Sequence, residues 1–110
     1  MAKRAAPSRS KYLYLTTTGR RTGRPREIEI WFTQRAGRYY LVAEHREQAQ
    51  WVQNLLVTPR VGVRVGRRAF TAQGRVVDAK AEPELARAVK KLSEKKYGWG
   101  TGLIVELDPA

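Results

Sequence analysis

The sequence predicts a mainly β fold with two helices, in the order β-β-β-α-β-β-α-β, whose mostly antiparallel sheet closes toward a barrel. Three observations carry this. Runs rich in β-branched and aromatic residues, at 11–18, 27–34 and 39–43, are separated by turns that carry glycine. Apolar residues alternate with a period of two at Ile28, Ile30 and Phe32, and again at Val61, Val63 and Val65. The pattern becomes helical in two stretches, 48–57 and 83–96.

Residues 1–10 (MAKRAAPSRS) are basic, small and aperiodic and read as a mobile arm; 11–110 read as a single domain. In the second strand, Ile28, Ile30 and Phe32 share one face and Glu27, Glu29 and Trp31 the other, which is either a half-wet surface or a subunit contact. Arg35-Ala36-Gly37-Arg38 makes a hairpin turn into the strand at 39–43, so the first three strands form an antiparallel meander. In the first helix Val52, Leu55 and Leu56 line the core with Trp51 beside them, and Pro59 stops the helix. Strands at 60–65 and 68–78 follow, joined at Gly66-Arg67, with Gly74 marking a bulge or a close backbone approach. Pro83 opens the second helix, whose buried stripe is Leu85, Val89 and Leu92. A glycine-aromatic loop, Tyr97 to Gly102, leads to a last strand at 103–107.

Composition narrows the chemistry. The absence of cysteine excludes disulfides, thiolate zinc ligands and thiol catalysis, and a lone histidine, His45, excludes a multi-histidine metal site within one chain. No apolar run approaches the roughly 20 residues that span a bilayer, and the N-terminus carries no apolar leader-like segment, so a cytoplasmic location is expected. With 22 Lys+Arg against 10 Asp+Glu the net charge is +12, which points to an anionic partner.

The charge is densest at Thr18-Gly19-Arg20-Arg21-Thr22-Gly23-Arg24-Pro25-Arg26, a turn between two strands. Glycine permits positive φ and close approach, consecutive N–H groups can cup an anion, and arginine forks match phosphate and carboxylate oxygens. This is a candidate site for a multiply anionic small ligand, or a basic hairpin facing water.

TTTGRRTGRPRE, then Tyr40-Leu41-Val42-Ala43, then Trp51-Val52-Gln53-Asn54-Leu55-Leu56-Val57-Thr58-Pro59, resemble the deazaflavin (coenzyme F420)-dependent nitroreductase family. That family belongs to the flavin/deazaflavin oxidoreductases with the split β-barrel fold, related in shape to pyridoxamine-phosphate oxidases. The resemblance implies that Arg20, Arg21, Thr22, Gly23 and Arg26 bind the cofactor's phosphate and acidic tail. It implies further that Glu29, Ile30 and Trp31 run along the tricyclic ring. Ala43, Glu44, His45 and Arg46 would hold the ring and its ribityl–phosphate portion, with Trp51 and Asn54 on the helix behind. Tyr97 and Trp99 would close over substrate. The segment 44–51 is shorter and more polar than the Gly-rich, Pro-containing loop usual in that family.

The implied activity is hydride transfer from reduced F420 to an electron-poor small molecule of the quinone, nitro or enone type, in a homodimer. No protein residue need be catalytic, although His45 can donate or supply a proton. Two alternatives stand beside it. FMN suits the same fold with one phosphate to engage, and a nucleic-acid module could stack bases on Trp31, Tyr39 and Trp99.

Overall fold

Residues 10–110 are described by a computed structural model. The expected arm therefore lies outside the described residues except for Ser10, whose carbonyl accepts a hydrogen bond from Lys96 Nζ. The strands are β1 (Tyr12–Thr18), β2 (Pro25–Trp31), β3 (Thr33–Arg35), β4 (Arg38–Ala43), β5 (Arg60–Val65), β6 (Arg68–Val77) and β7 (Leu103–Pro109). Helices α1 (Gln50–Val57) and α2 (Pro83–Tyr97) lie between β4 and β5 and between β6 and β7. All pairings are antiparallel, in the order β2-β1-β5-β6-β7-β4-β3.

That order shows what the expected second strand does. It breaks at Phe32: Trp31 pairs with Tyr12 of β1, whereas Thr33 pairs with Tyr40 of β4. The meander is thus bent at a corner, and its two halves become the opposite edges of the sheet. The alternation runs through the corner unbroken, with Phe32 buried and Glu27, Glu29 and Trp31 exposed. Phe32 N–H donates to Tyr97 Oη at 3.0 Å, and the Phe32 carbonyl accepts from Lys96 Nζ at 2.9 Å. The Tyr97 proton is shared between the carbonyls of Phe32 and Lys11. Lys96 also sits 3.8 Å from the Phe32 ring centroid, and its burial lowers its pKa.

Inside the curl Leu13, Leu15, Leu41, Val63 and Leu107 form one apolar cluster, and β6 spans it by pairing first with β5 and then with β7. Helix α1 adds Val52 and Leu55, but Leu56 is 50% exposed and Asn54 takes the buried position instead. The helix is rotated so that this amide reaches the β1–β2 turn. Gly74 shows no bulge, standing in register with Leu107, but a Cβ there would lie 2.5 Å from Leu55 Cδ1. Close approach is its role. On α2 the buried stripe is Ala86, Val89 and Ser93, with Leu85 and Leu92 half-buried beside it. Small residues let this helix lie close against its neighbours. The β3–β4 hairpin has positive φ at both Ala36 (53°) and Gly37 (79°), the requirement of a type I′ turn.

Between β6 and β7 lies a charged cluster. Glu106, 5% exposed, accepts from Tyr40 Oη at 2.8 Å and Arg75 Nε at 2.9 Å, while Arg75 also grips Glu82 with two nitrogens. Burial alone would raise the Glu106 pKa, but hydrogen bonds from Arg75 and Tyr40 outweigh it and hold it below the ordinary value. Burial, with the bond to Glu106, pushes Tyr40 up to about 12. Arg75→Met would leave Glu106 buried beside Tyr40 alone and should cost roughly 3 kcal/mol at neutral pH. Because the native Glu106 pKa is depressed, the stabilisation is present above the unfolded value of about 4.3 and is lost as pH falls through the native one. The gap in urea midpoint between wild type and variant should therefore narrow from about pH 5 to pH 3; a constant gap would exclude the ion pair as its cause.

Candidate functional site

The split between the sheet edges is where the site lies. Among the described residues no strand pairs with the outer edge of β2, nor with β4 beyond Tyr40 on the edge turned away from β7. A cleft of about 500 Å³ opens there, lined by Glu29, Ile30 and Trp31 from one edge and Val42 and Ala43 from the other. Glu44 and His45 follow at the rim, and Tyr12, Trp51 and Trp99 complete the walls. Trp31 is held by Tyr97, stacked at 4.4 Å with the ring planes 1° apart, and by the edge of Trp99 at 6.5 Å. Flat aromatic walls and unpaired strand edges suit a planar heterocycle with hydrogen-bonding edges.

A second cleft, of about 570 Å³, shares Trp51 with the first and is lined by Arg20, Arg21, Thr22, Arg26, Thr17 and Asn54 among others. Gly19 N–H bonds the Arg24 carbonyl at 2.8 Å, Gly23 (φ 73°) bonds the Gly19 carbonyl at 2.8 Å, and Arg24 N–H bonds Thr22 Oγ1 at 3.2 Å. Asn54 Oδ1 accepts from Arg20 N–H at 3.2 Å and from Arg20 Nη1 at 2.9 Å, and Gln50 Oε1 accepts Arg20 Nη2 at 2.8 Å. The Asn54 amide nitrogen donates to Thr17 Oγ1 at 3.2 Å.

These bonds change the expected anion site in two ways. The N–H groups of Gly19, Arg20, Gly23 and Arg24 already have acceptors, so an anion would meet side chains and at most the amides of Arg21 and Thr22. Arg20 also fastens the turn to α1, whereas among the described residues neither Arg21 nor Arg26 forms an ion pair. Gly23 and Arg24 do not line the cleft.

Of the remaining expected residues, Arg46 faces a separate depression and Tyr97 stands behind Trp31, outside both clefts. Its hydroxyl is bonded at the Phe32 corner and its ring is stacked on Trp31. His45 is exposed, with Nε2 3.6 Å from Glu44 Oε2. Tyr39 is 3% exposed and packs against Phe32 and Phe70, which removes it from any base-stacking surface. Thr17 and Gln50 were not foreseen. Gln50 had a signal, since it stands one turn before Asn54 on the same helix face; Thr17 had none, being a strand residue like its neighbours.

No helix among the described residues is long and apolar enough to cross a membrane. Comparison with curated sequences returns no match. Among solved structures, the chain is similar to an F420-H2-dependent reductase (FDR-A), with 18% identity, a TM-score of 0.72 and coverage of 89% of this chain and 94% of that one. It is similar to a protein described as a domain-swapped dimer, with 18% identity, a TM-score of 0.66 and coverage of 92% and 81%. It also resembles a candidate pyridoxamine 5′-phosphate oxidase from Listeria innocua, with 14% identity, a TM-score of 0.67 and coverage of 90% and 83%. These likenesses establish the split-barrel fold. The family model for F420H(2)-dependent quinone reductase matches residues 5–105, and the chain accordingly belongs to that family of F420-dependent reductases.

Proposed function

We propose that this chain binds coenzyme F420 with its tricyclic ring in the aromatic cleft and its acidic tail in the basic one, and reduces a small electron-poor acceptor of the quinone, nitro or enone type. The observation that carries the reading is the side chain of Trp51, which lines both a planar-walled cleft and one that carries Arg20, Arg21 and Arg26. A cofactor with an aromatic head and a polyanionic tail needs both chemistries side by side, so these residues fit it. When bound in its reduced form, the deazaflavin supplies the hydride.

The protein's part is placement. Trp31, braced by Tyr97, and Trp51 confine a flat ring, and the free edges of β2 and β4 offer backbone donors and acceptors along its rim. Arg21 and Arg26 neutralise the tail, and Asn54 fixes the turn that carries them through Arg20. Trp99 walls the acceptor's side, and His45 at the rim can donate a proton to the reduced product. Trp31 and Tyr12, 40% and 39% exposed at the mouth, are covered in the proposed homodimer, which a second subunit would complete as a closed site. The dimeric neighbour supports that arrangement.

Three outcomes test this. Reversing Arg21 or Arg26 to Glu should weaken F420 binding about tenfold each and change stability by less than about 0.5 kcal/mol. Arg20→Glu should do both, weakening binding and lowering stability by roughly 1–3 kcal/mol, because Asn54 and Gln50 lose their donor. Lys91→Glu, on α2, is the control in fluorescence titrations and urea melts. Equal loss of affinity in all four variants would mean that overall charge, not this cleft, holds the ligand.

F420 should also bind more tightly than FMN and lose more affinity as salt is added, because several of its charges meet arginines that screening weakens. Tighter FMN binding in the same titration would overturn the cofactor placement. Sedimentation should give a dimer at micromolar concentration; a monomer with full F420 affinity would remove the second subunit from the site.

A further inference from the structure

Beyond the two clefts lies a third depression, of about 360 Å³, lined by Arg46, Arg87 and Lys90 and by the Gly100-Thr101-Gly102 loop. It adjoins the aromatic cleft across a thin wall. His45 faces the cleft while Arg46 faces the depression, and Trp99 faces the cleft while Gly100 faces the depression. It shares no lining residue with the basic cleft.

Its cations have no ion-pair partner among the described residues. No carboxylate lines the depression. Arg87 and Lys90 stand three apart on one face of α2, where like charges repel. Arg46 is brought to them with φ at 53°, a conformation uncommon for any residue but glycine. The glycine loop forms another wall: a Cβ at Gly100 would lie 2.7 Å from the Lys90 carbonyl, and one at Gly102 would collide with that of Ala43. The loop is thus packed closely against α2 at one end and β4 at the other.

We propose that this depression is a second anion subsite, taking a carboxylate or phosphate group of a molecule bound in the neighbouring aromatic cleft. The cations supply charge-assisted donors, and the rigid loop sets the size of the group admitted. The anion-binding claim stands by itself; its link to the aromatic cleft rests on the function proposed above. Two sources share the chemistry: an electron acceptor bearing an acid group, and the cofactor's acidic tail, if it leaves the ring on this side instead of toward Arg21 and Arg26.

Inorganic phosphate titrated into the full chain at constant ionic strength should shift the amide resonances of Gly100, Thr101 and Gly102 in a saturable way. The double variant R87E/K90E should weaken that response at least about tenfold and leave any response at Arg21 and Thr22 intact. Arg46→Gly, which suits the left-handed backbone, should weaken it without loss of thermal stability. Non-saturating shifts, or unchanged affinity in the double variant, would overturn the subsite. For the source, KM is compared for a naphthoquinone carrying a carboxylate and for its uncharged parent, alongside the F420 dissociation constant. An acid acceptor predicts that R87E/K90E raises KM for the carboxylate form alone, and the cofactor tail predicts a weaker F420 complex instead. If neither quantity changes, the depression does not serve the neighbouring cleft. If neither quinone is reduced by wild type, the acceptor reading fails while the phosphate response still decides the subsite.

Discussion

A few hydrogen bonds at one backbone position shape this molecule. Phe32 would, with ordinary extended pairing, continue a single strand from residue 25 to 35. Instead Tyr97 and Lys96, at the end of α2, take its N–H and carbonyl. With those groups satisfied, the chain can leave β1 and join β4 without stranding the backbone groups of Phe32. Each bond contributes on the order of 1 kcal/mol. Together they decide that the sheet curls and that its two edges meet at one corner and part beyond it. The parting is the aromatic cleft. The ring of Tyr97 braces Trp31, and its hydroxyl secures the corner, so wall and bend are fixed by one side chain.

Helix α1 then joins that cleft to the charged one. It is 8 residues long, but successive turns carry different duties: Trp51 forms wall for both clefts, Asn54 secures the basic turn, and Val52 and Leu55 are buried. Its seat depends on a missing side chain, because Leu55 occupies the space above Gly74. A methyl group at position 74 would press on Leu55 and so on the neighbouring Asn54, which holds Arg20. Packing in the middle of the sheet and geometry at the surface turn are thus mechanically continuous.

Much of this was legible in the sequence. Alternation at Val61, Val63 and Val65 gave a strand that the structure keeps residue for residue, and Pro83 marked the start of α2. The residues around Trp31, Ala43, His45 and Trp51 do converge, as the family resemblance implied. The corner at Phe32 was not readable, because alternation continues through it and the groups that bend it come from 64 and 65 residues away. Leu56 departs from the expected core stripe for a related reason. Hydrophobicity alone places the leucine inside, and only knowledge of where Thr17 and Arg20 lie explains why the amide displaces it. Arginines in a turn look equivalent in a sequence; a partner on another element makes Arg20 structural and leaves Arg21 and Arg26 free of ion pairs.

The distribution of indoles has an optical consequence. The chain has three tryptophans, and Trp31, Trp51 and Trp99 all line the aromatic cleft. Tryptophan emission from this protein therefore originates at the walls of a single cavity, with no background from a distant core or surface reporter. Whatever enters must alter the polarity around all three emitters or quench them together. Occupancy can be followed in the unlabelled protein, and two emitters on opposite sides of the seam would register its widening even when nothing is bound.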